Sequence, residues 1–258
     1  MTRVRVATEG GVARVMLARP EKKNALDQAM VAALHDAIRA AGADEAVRAV
    51  CLDAEGPDFC AGADLEALIA MLDAGADAAA HRKDADLLGQ LFIAIRALPK
   101  PVVAAVRGRA LAGGAGLATA CDIVLAHEQA RFGYPEVKVG FVPAMVMTML
   151  RRSVGEKHAF ELAATGRLVD AHEALALGLV SRVIPAAGFD AEVARTMAAL
   201  AATPPAALRL TKRLFYALDS RGFEAGIALG AQTNVESRAT DDFRDGVRRF
   251  TQRGKEGA

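Results

Sequence analysis

The chain has 258 residues, with 32 Lys and Arg against 31 Asp and Glu and a net charge of +1, a balance unlike the strongly basic domains of dedicated polyanion binders. With 53% hydrophobic and 24% charged residues it reads as globular, and it is long enough to bury a core without disulfide or metal staples. The lack of Trp and the 5% aromatic content disfavour a stacking platform for single-stranded nucleic acid, so no nucleic-acid partner is expected.

The opening Met-Thr-Arg-Val-Arg-Val is not a charged leader followed by an apolar run and a small-residue cleavage site. No apolar run approaches the roughly 18 residues of a membrane span, so a cytoplasmic location without a membrane partner is expected. Val4 to Thr8 and Val12 to Leu17 are β-rich runs around Glu9-Gly10-Gly11 and predict a hairpin. From Asp27 to Ala41 apolar residues recur at three and four, which predicts a helix with Asp27 as N-cap and Gly42 as its stop. Val47 to Leu52 reads as a strand. Cys60-Ala61-Gly62-Ala63-Asp64 then leads into a helix from about Leu65, residues 74–82 read as a poorly ordered hinge, and a further helix runs to Leu98.

Val102 to Val106 is a buried strand, followed by small residues that open a helix ending near Cys121. Ile123 to Ala126 and Arg131 to Gly133 read as strands, 144–153, 156–164 and 171–177 as helices, and Val180 to Ile184 as a strand. From about Asp190 the chain reads as helix, broken at Pro204-Pro205 and Gly222. Alternation of this kind belongs to the α/β class, with residues 1–190 as the core and 191–258 as a helical C-terminal region. Cys51, Cys60 and Cys121 are far apart and read as buried hydrophobes. The five histidines have no metal-ligand spacing, so no metal is expected.

Two segments share a pattern: a strand, then small residues, then a helix start. One leads to Ala61-Gly62-Ala63-Asp64, the other to Ala112-Gly113-Gly114. The first N–H groups of a helix lack internal partners, and the dipole makes that end positive. Two such ends side by side could serve one oxygen that gains negative charge; small residues there equally permit close packing. A dinucleotide fingerprint fails, because Gly108-Arg109-Ala110 lacks the second glycine at its offset.

The stretches GPDFCAGADLEAL, KPVVAAVRGRALAGGAGLATACDIVLA, ARFGYPEVKVGFVP and TGRLVDAHEALALGLVSRVI, in this order, closely resemble the enoyl-CoA hydratase/isomerase (crotonase) superfamily. The sequence is also similar to a subgroup of bacterial hydratases with glycine at the first glutamate position. The resemblance implies a crotonase-like α/β spiral of ββα units with a helical C-terminal trimerisation region. It implies a homo-oligomer, trimer or dimer of trimers, acting on an acyl-CoA. Coenzyme A then belongs to the substrate, with no separate cofactor. The implied oxyanion donors are the N–H groups of Ala63 and Gly113, and the implied acid–base group is Glu136.

In the two-glutamate hydratase pattern the first glutamate would stand at Gly116. A lone glutamate at the Glu136 position is typical of Δ3,Δ2-enoyl-CoA isomerases. Three readings therefore remain: hydratase, favoured because GYPEVKVGFVPA resembles hydratase relatives; isomerase; and a non-catalytic acyl-CoA-binding subunit. If the missing carboxyl limits hydration, Gly116→Glu should raise it. The apolar neighbours Val137, Val139, Phe141 and Val142 are expected to raise the Glu136 pKa by desolvation. Tyr134 either lines the pocket or packs, and Asp58 and His127 read as surface residues. Family pattern assigns Lys22, Asn24, Ala25, Ala61, Asp64 and Leu65 to coenzyme A, and Phe250 and Lys255 to the nucleotide of a neighbouring subunit.

Overall fold

The computed structural model describes the backbone of residues 2–256 and the side chains of residues 2–252. The hairpin forms as expected: β1 (Val4–Glu9) pairs antiparallel with β2 (Val12–Leu17), and Gly10 and Gly11 take positive φ in the turn. Helix α1 (Gln28–Ala43) starts on Asp27, whose carboxylate accepts from Met30 N at 2.8 Å. Gly42 does not stop it. That glycine is helical, and a Cβ there would meet Leu98 Cδ1 at 2.8 Å, so its role is close packing.

Strand β3 (Ala49–Ala54) leads to α2 (Leu65–Asp73) and α3 (Ala78–Ala97). The expected hinge at 74–82 is partly helical. Asp77 caps α3 by accepting from Ala80 N, and Leu91, Phe92 and Ile95 are buried from the same helix. Next come β4 (Val102–Val106), β5 (Arg109–Leu111), α4 (Gly113–Ala120), β6 (Ile123–His127) and β7 (Arg131–Gly133). Helices α5 (Val146–Ser153) and α6 (Glu156–Thr165), strand β8 (Leu168–Asp170), α7 (Ala171–Leu177) and β9 (Arg182–Ile184) complete the spiral. The last strand is shorter than expected, because Val180 N still bonds Ala174 O at the end of α7.

One sheet runs β1-β2-β3-β4-β6-β9, parallel beyond the hairpin; a smaller one runs β5-β7-β8. Alternation along the central strands feeds two cores. Val50, Leu52, Val102 and Ala104 join the main core with α1 and α3. Ala49, Cys51, Val103 and Ala105 face Phe189, Val193 and Met197 of α8 (Phe189–Ala202). Burial on both faces explains why these strands read as continuous apolar runs. Burial also pushes the Cys51 and Cys60 thiols up to about 12, so neither is a reactive thiolate.

The remaining helices are α9 (Pro205–Ala217), α10 (Phe223–Arg238) and α11 (Asp241–Glu256). Residue 190 lies inside α8, which packs on the sheet. Lys212 anchors α9: its Nζ donates to Ile95 O, Lys100 O and Asp122 Oδ2 at 2.9, 3.0 and 2.8 Å. Tyr216 Oη donates to Asp122 Oδ1 at 2.6 Å, so Asp122 is structural. Beyond α9 the helices leave Phe223, Ile227, Val235 and Phe250 exposed. Among the described residues no helix is long and apolar enough to cross a membrane, and no acidic, His or Cys cluster could hold a metal.

Candidate active site

Residues 59–64 thread between two loops as a strand-like segment. On one side Phe59 N donates to Arg107 O, Cys60 N to Arg109 O and Leu111 N to Cys60 O, each at 2.9 Å. On the other, Leu26 N donates to Gly62 O at 2.7 Å and Asp64 N to Leu26 O at 2.9 Å. Both flanking groups of Ala63 are thus spent on Leu26. In a parallel pairing the central residue turns its own N–H to the opposite side.

That side holds the start of α4. Gly62 has φ +94, and a Cβ on it would lie 2.7 Å from Ala112 Cβ and 3.5 Å from Gly113 N. Gly113 is the first residue of α4, so its N–H has no intrahelical acceptor. Among the described residues neither Ala63 N nor Gly113 N donates to a protein acceptor. Ala112, just before the helix, has φ +51 and ψ −123, tied down by Ala112 N to Gly133 O at 2.8 Å. Non-glycine strain of this kind costs roughly 1–3 kcal/mol and concentrates at functional sites. Nothing in the sequence pattern singles out Ala112.

Glu136 sits in the short 3-10 helix Pro135–Val139 and is 8% exposed. Its Oε2 is buried without a hydrogen-bond partner, and burial raises its pKa above the ordinary carboxylate range. Direction and cause, desolvation, agree with expectation, although Val139, Phe141 and Val142 are themselves more than half exposed, at 66, 57 and 61%. Tyr134 is wholly buried, its hydroxyl likewise unpartnered, and burial outweighs the opposing influence of the nearby Thr119 hydroxyl to hold the phenol protonated far above neutrality.

Gly116 does not open onto free space. A Cβ there would overlap Val146 Cγ1 and lie 3.0 Å from Phe92 Cζ. Side chains of α5 and α3 fill the volume that a glutamate would need. Gly114 is required for another reason: a Cβ there would overlap the Cys60 carbonyl oxygen and lie 2.7 Å from Cys60 Cβ.

Of the residues assigned to coenzyme A, the structure gives several other work. Asn24 is buried with φ +55; its amide donates to Glu55 O and Asp58 O at 2.9 Å and accepts from Arg19 N at 2.8 Å, so its side chain braces the loop. Asp64 caps α2, accepting from Glu66 N and Ala67 N, and pairs with Arg19. Lys22 pairs with exposed Glu66 at 2.6 Å. Ala25 is buried, Ala61 donates its N–H to Lys23 O, and Leu65 is 56% exposed at the start of α2. Phe250 is exposed on α11, and the side chain of Lys255 lies outside the described residues.

Asp58 is not a surface residue. It is 5% exposed and its carboxylate takes a bidentate contact from Arg109 Nε and Nη2 at 2.8 and 2.7 Å, plus Arg109 N. This pair fastens the start of the 59–64 segment to β5 and, with Arg19, escapes pattern reading; a charge amid small apolar residues is the available signal, since buried charges are paired. His127 packs its ring on Phe189.

The enoyl-CoA hydratase/isomerase family model matches residues 7–257. A Thermus thermophilus protein provisionally named an enoyl-CoA hydratase is 47% identical over 243 residues, 94% of this chain and 95% of that one. The 2,3-dehydroadipyl-CoA hydratase of Escherichia coli is 34% identical over 255 residues, 98% and 97% of the two chains. The crystal structure of an enoyl-CoA hydratase from Mycobacterium smegmatis superposes with a TM-score of 0.94 at 35% identity, covering 98% of this chain and 97% of that one. With the fold and the sequence matched from end to end, the chain belongs to the enoyl-CoA hydratase/isomerase, or crotonase, family of enzymes.

Proposed function

We propose that this chain is an enoyl-CoA hydratase that works with one carboxyl group. The observation that carries the reading is the approach of two segments with unspent backbone donors, Ala63 N–H and Gly113 N–H; the family resemblance assigns the acid–base role to Glu136, which is buried with Oε2 unpartnered. The thioester carbonyl of a 2-enoyl-CoA accepts from both donors. Glu136 as carboxylate takes a proton from water while the hydroxyl adds to the β-carbon. The electron pair of the double bond moves to the carbonyl, and the enolate oxygen rests between the two N–H groups. The Glu136 acid then delivers its proton to the α-carbon and is a carboxylate again. One oxyanion-hole donor is worth roughly 2.7–4 kcal/mol at the transition state. A buried, raised glutamate suits both directions of proton transfer.

Coenzyme A enters as part of the substrate, along the loop of Lys22 and Ala25, past Ala61 and the start of α2 at Leu65; the proposed chemistry uses no further cofactor. The exposed apolar residues of α10 and α11 support assembly as a trimer or a dimer of trimers. One observation favours a second reading. The filled space at Gly116 leaves no room for a second carboxyl, and a single carboxylate can move one proton between the α- and γ-carbons, as in a Δ3,Δ2-enoyl-CoA isomerase. Parallel assays decide: loss of the conjugated enoyl absorbance of crotonyl-CoA, and its appearance from a 3-enoyl-CoA. Hydration exceeding isomerisation supports the first reading; the reverse supports the second.

A further inference from the structure

We infer that Arg19 is a positioning residue for the reaction: its guanidinium bridges the carboxylates that cap α1 and α2 and thereby holds the Ala63 N–H in place. The inference rests on the reading of Ala63 and Gly113 as an oxyanion hole. Arg19 Nη1 lies 3.1 Å from Asp27 Oδ2 and 2.7 Å from Asp64 Oδ2. The same nitrogen lies 3.3 Å from Ala25 O. The three side chains are only 14, 13 and 7% exposed.

Each carboxylate divides its two oxygens. Asp27 Oδ1 caps α1 through Met30 N, and Asp64 Oδ1 caps α2 through Glu66 N and Ala67 N. The other oxygen of each goes to Arg19, and that of Asp27 is shared with Arg3. Leu26, next to Asp27, is paired with Ala63, next to Asp64. A closed ring results: Arg19, Asp27, Leu26, Ala63, Asp64 and back to Arg19. Burial opposes the Asp64 charge, yet the Arg19 contact and the two cap N–H groups hold its pKa below the ordinary value. Arg19 is itself fixed, because its N–H donates to the buried Asn24 amide oxygen at 2.8 Å.

The ring bears on catalysis through geometry. An oxyanion donor acts only when aimed at the place where charge develops, and the pairing with Leu26 is a single bridge rather than a full strand. Without Arg19, Asp27 keeps Arg3 but Asp64 loses its paired cation, and its buried charge is left beside that bridge, which loosens the pairing. One guanidinium nitrogen, Nη1, serves both carboxylates at the end of the arginine side chain; a lysine ammonium is a compact point charge with a different reach.

The test uses the full-length protein with Arg19→Gln, Arg19→Lys and, for comparison, Arg3→Gln. Arg3 touches Asp27 at 2.8 Å and, among the described residues, forms no ion pair with Asp64. Two readouts are taken: kcat and KM for whichever CoA-thioester reaction the wild type performs, and the infrared carbonyl stretch of bound butyryl-CoA labelled with 13C at the thioester carbon. Arg19→Gln is expected to lower kcat on the order of 10- to 100-fold, as displacement of a positioned group does, with KM little changed. The carbonyl stretch, lowered on binding to the wild type, should return toward its value in water. Arg19→Lys should recover part of both, and Arg3→Gln neither lose kcat nor move the band. Should Arg19→Gln not fold, Arg19→Lys alone must show both effects in reduced size. A fall in kcat with an unmoved carbonyl band, or unchanged kcat, overturns the positioning role. A wild-type band that is not lowered at all overturns the oxyanion-hole reading and the inference with it.

Discussion

Val146 occupies the place of a side chain at Gly116: a Cβ built on that glycine would overlap Val146 Cγ1 and lie 3.1 Å from Val146 Cβ. Val is β-branched and stiff about χ1, so it yields poorly. Gly116→Glu alone is therefore expected to destabilise the protein by about 1–3 kcal/mol through overpacking and to leave crotonyl-CoA hydration no higher. Gly116→Glu combined with Val146→Gly opens the volume and should hydrate faster than Gly116→Glu alone. Urea melts and a hydration assay on the two variants check this. It replaces the simpler expectation that a carboxyl at 116 restores a lost catalytic position.

Glu136→Gln keeps the shape and removes the proton acceptor. Turnover should fall about 10²–10⁴-fold while binding of butyryl-CoA persists. The working form is the carboxylate, and burial raises its pKa above the ordinary value, about 4.3 for glutamate. The rate of the wild type should therefore drop as pH falls through a point above that value. The stability effect has the opposite sense. A carboxyl with a raised folded pKa contributes stability that is full below its unfolded pKa and is lost as pH rises through the folded one. Glu136→Gln cannot ionise, so its Tm should exceed that of the wild type at neutral pH, with the gap closing in acid.

The fold was largely legible because both halves of the pattern are strong. The hairpin follows from β-rich runs around a Gly-Gly turn, the Asp27 cap from an N-terminal carboxylate, and the buried strand Val102–Val106 from a continuous apolar run. The three-residue strands β5 and β8 carry too little periodicity to read. Ala63, Gly113 and Glu136 came from motif resemblance, and the structure brings Ala63 and Gly113 to one place. What pattern could not supply was partnership across the chain. Asp58 with Arg109 is separated by 51 positions and Asp122 with Lys212 by 90, and local spacing holds no record of such pairs. The same applies to Gly116, whose neighbours Phe92 and Val146 lie on two other helices.

Gly114 separates packing from catalysis. A Cβ there meets the backbone carbonyl of Cys60, which has no rotamer with which to yield, so the helix start itself must move. Gly114→Ala should shift α4 away from the 59–64 segment and misplace Gly113 N–H relative to Ala63 N–H. A fall in kcat on the order of 100-fold is expected from such a displacement, with a lower urea midpoint. Gly230→Ala, where a Cβ meets nothing within 4 Å, should leave kcat unchanged and raise helix stability by about 0.5–1 kcal/mol. Equal effects of the two substitutions would show that crowding at Cys60 does not govern the site.

The tail supplies the remaining test. Phe223 and Ile227 lie four apart on α10 and are 79 and 62% exposed; Phe250 on α11 is 81% exposed. On one helix, residues at i and i+4 share a face, so Phe223 and Ile227 form a continuous apolar stripe rather than scattered contacts. Monomers rarely leave large patches of this kind in water. Sedimentation of the wild type should show a species about three or six times the 27.0 kDa chain. Phe223→Asp with Ile227→Lys places charges on the stripe, where burial in an interface would strand them without partners. This double variant should sediment as a smaller species while retaining the helical circular dichroism of a folded chain. Because α9 is held independently by Lys212 and Asp122, loss of assembly should not unfold the spiral. A wild type that sediments as a stable monomer at micromolar concentration would remove the oligomer from the proposed function and leave the stripe without an occupant.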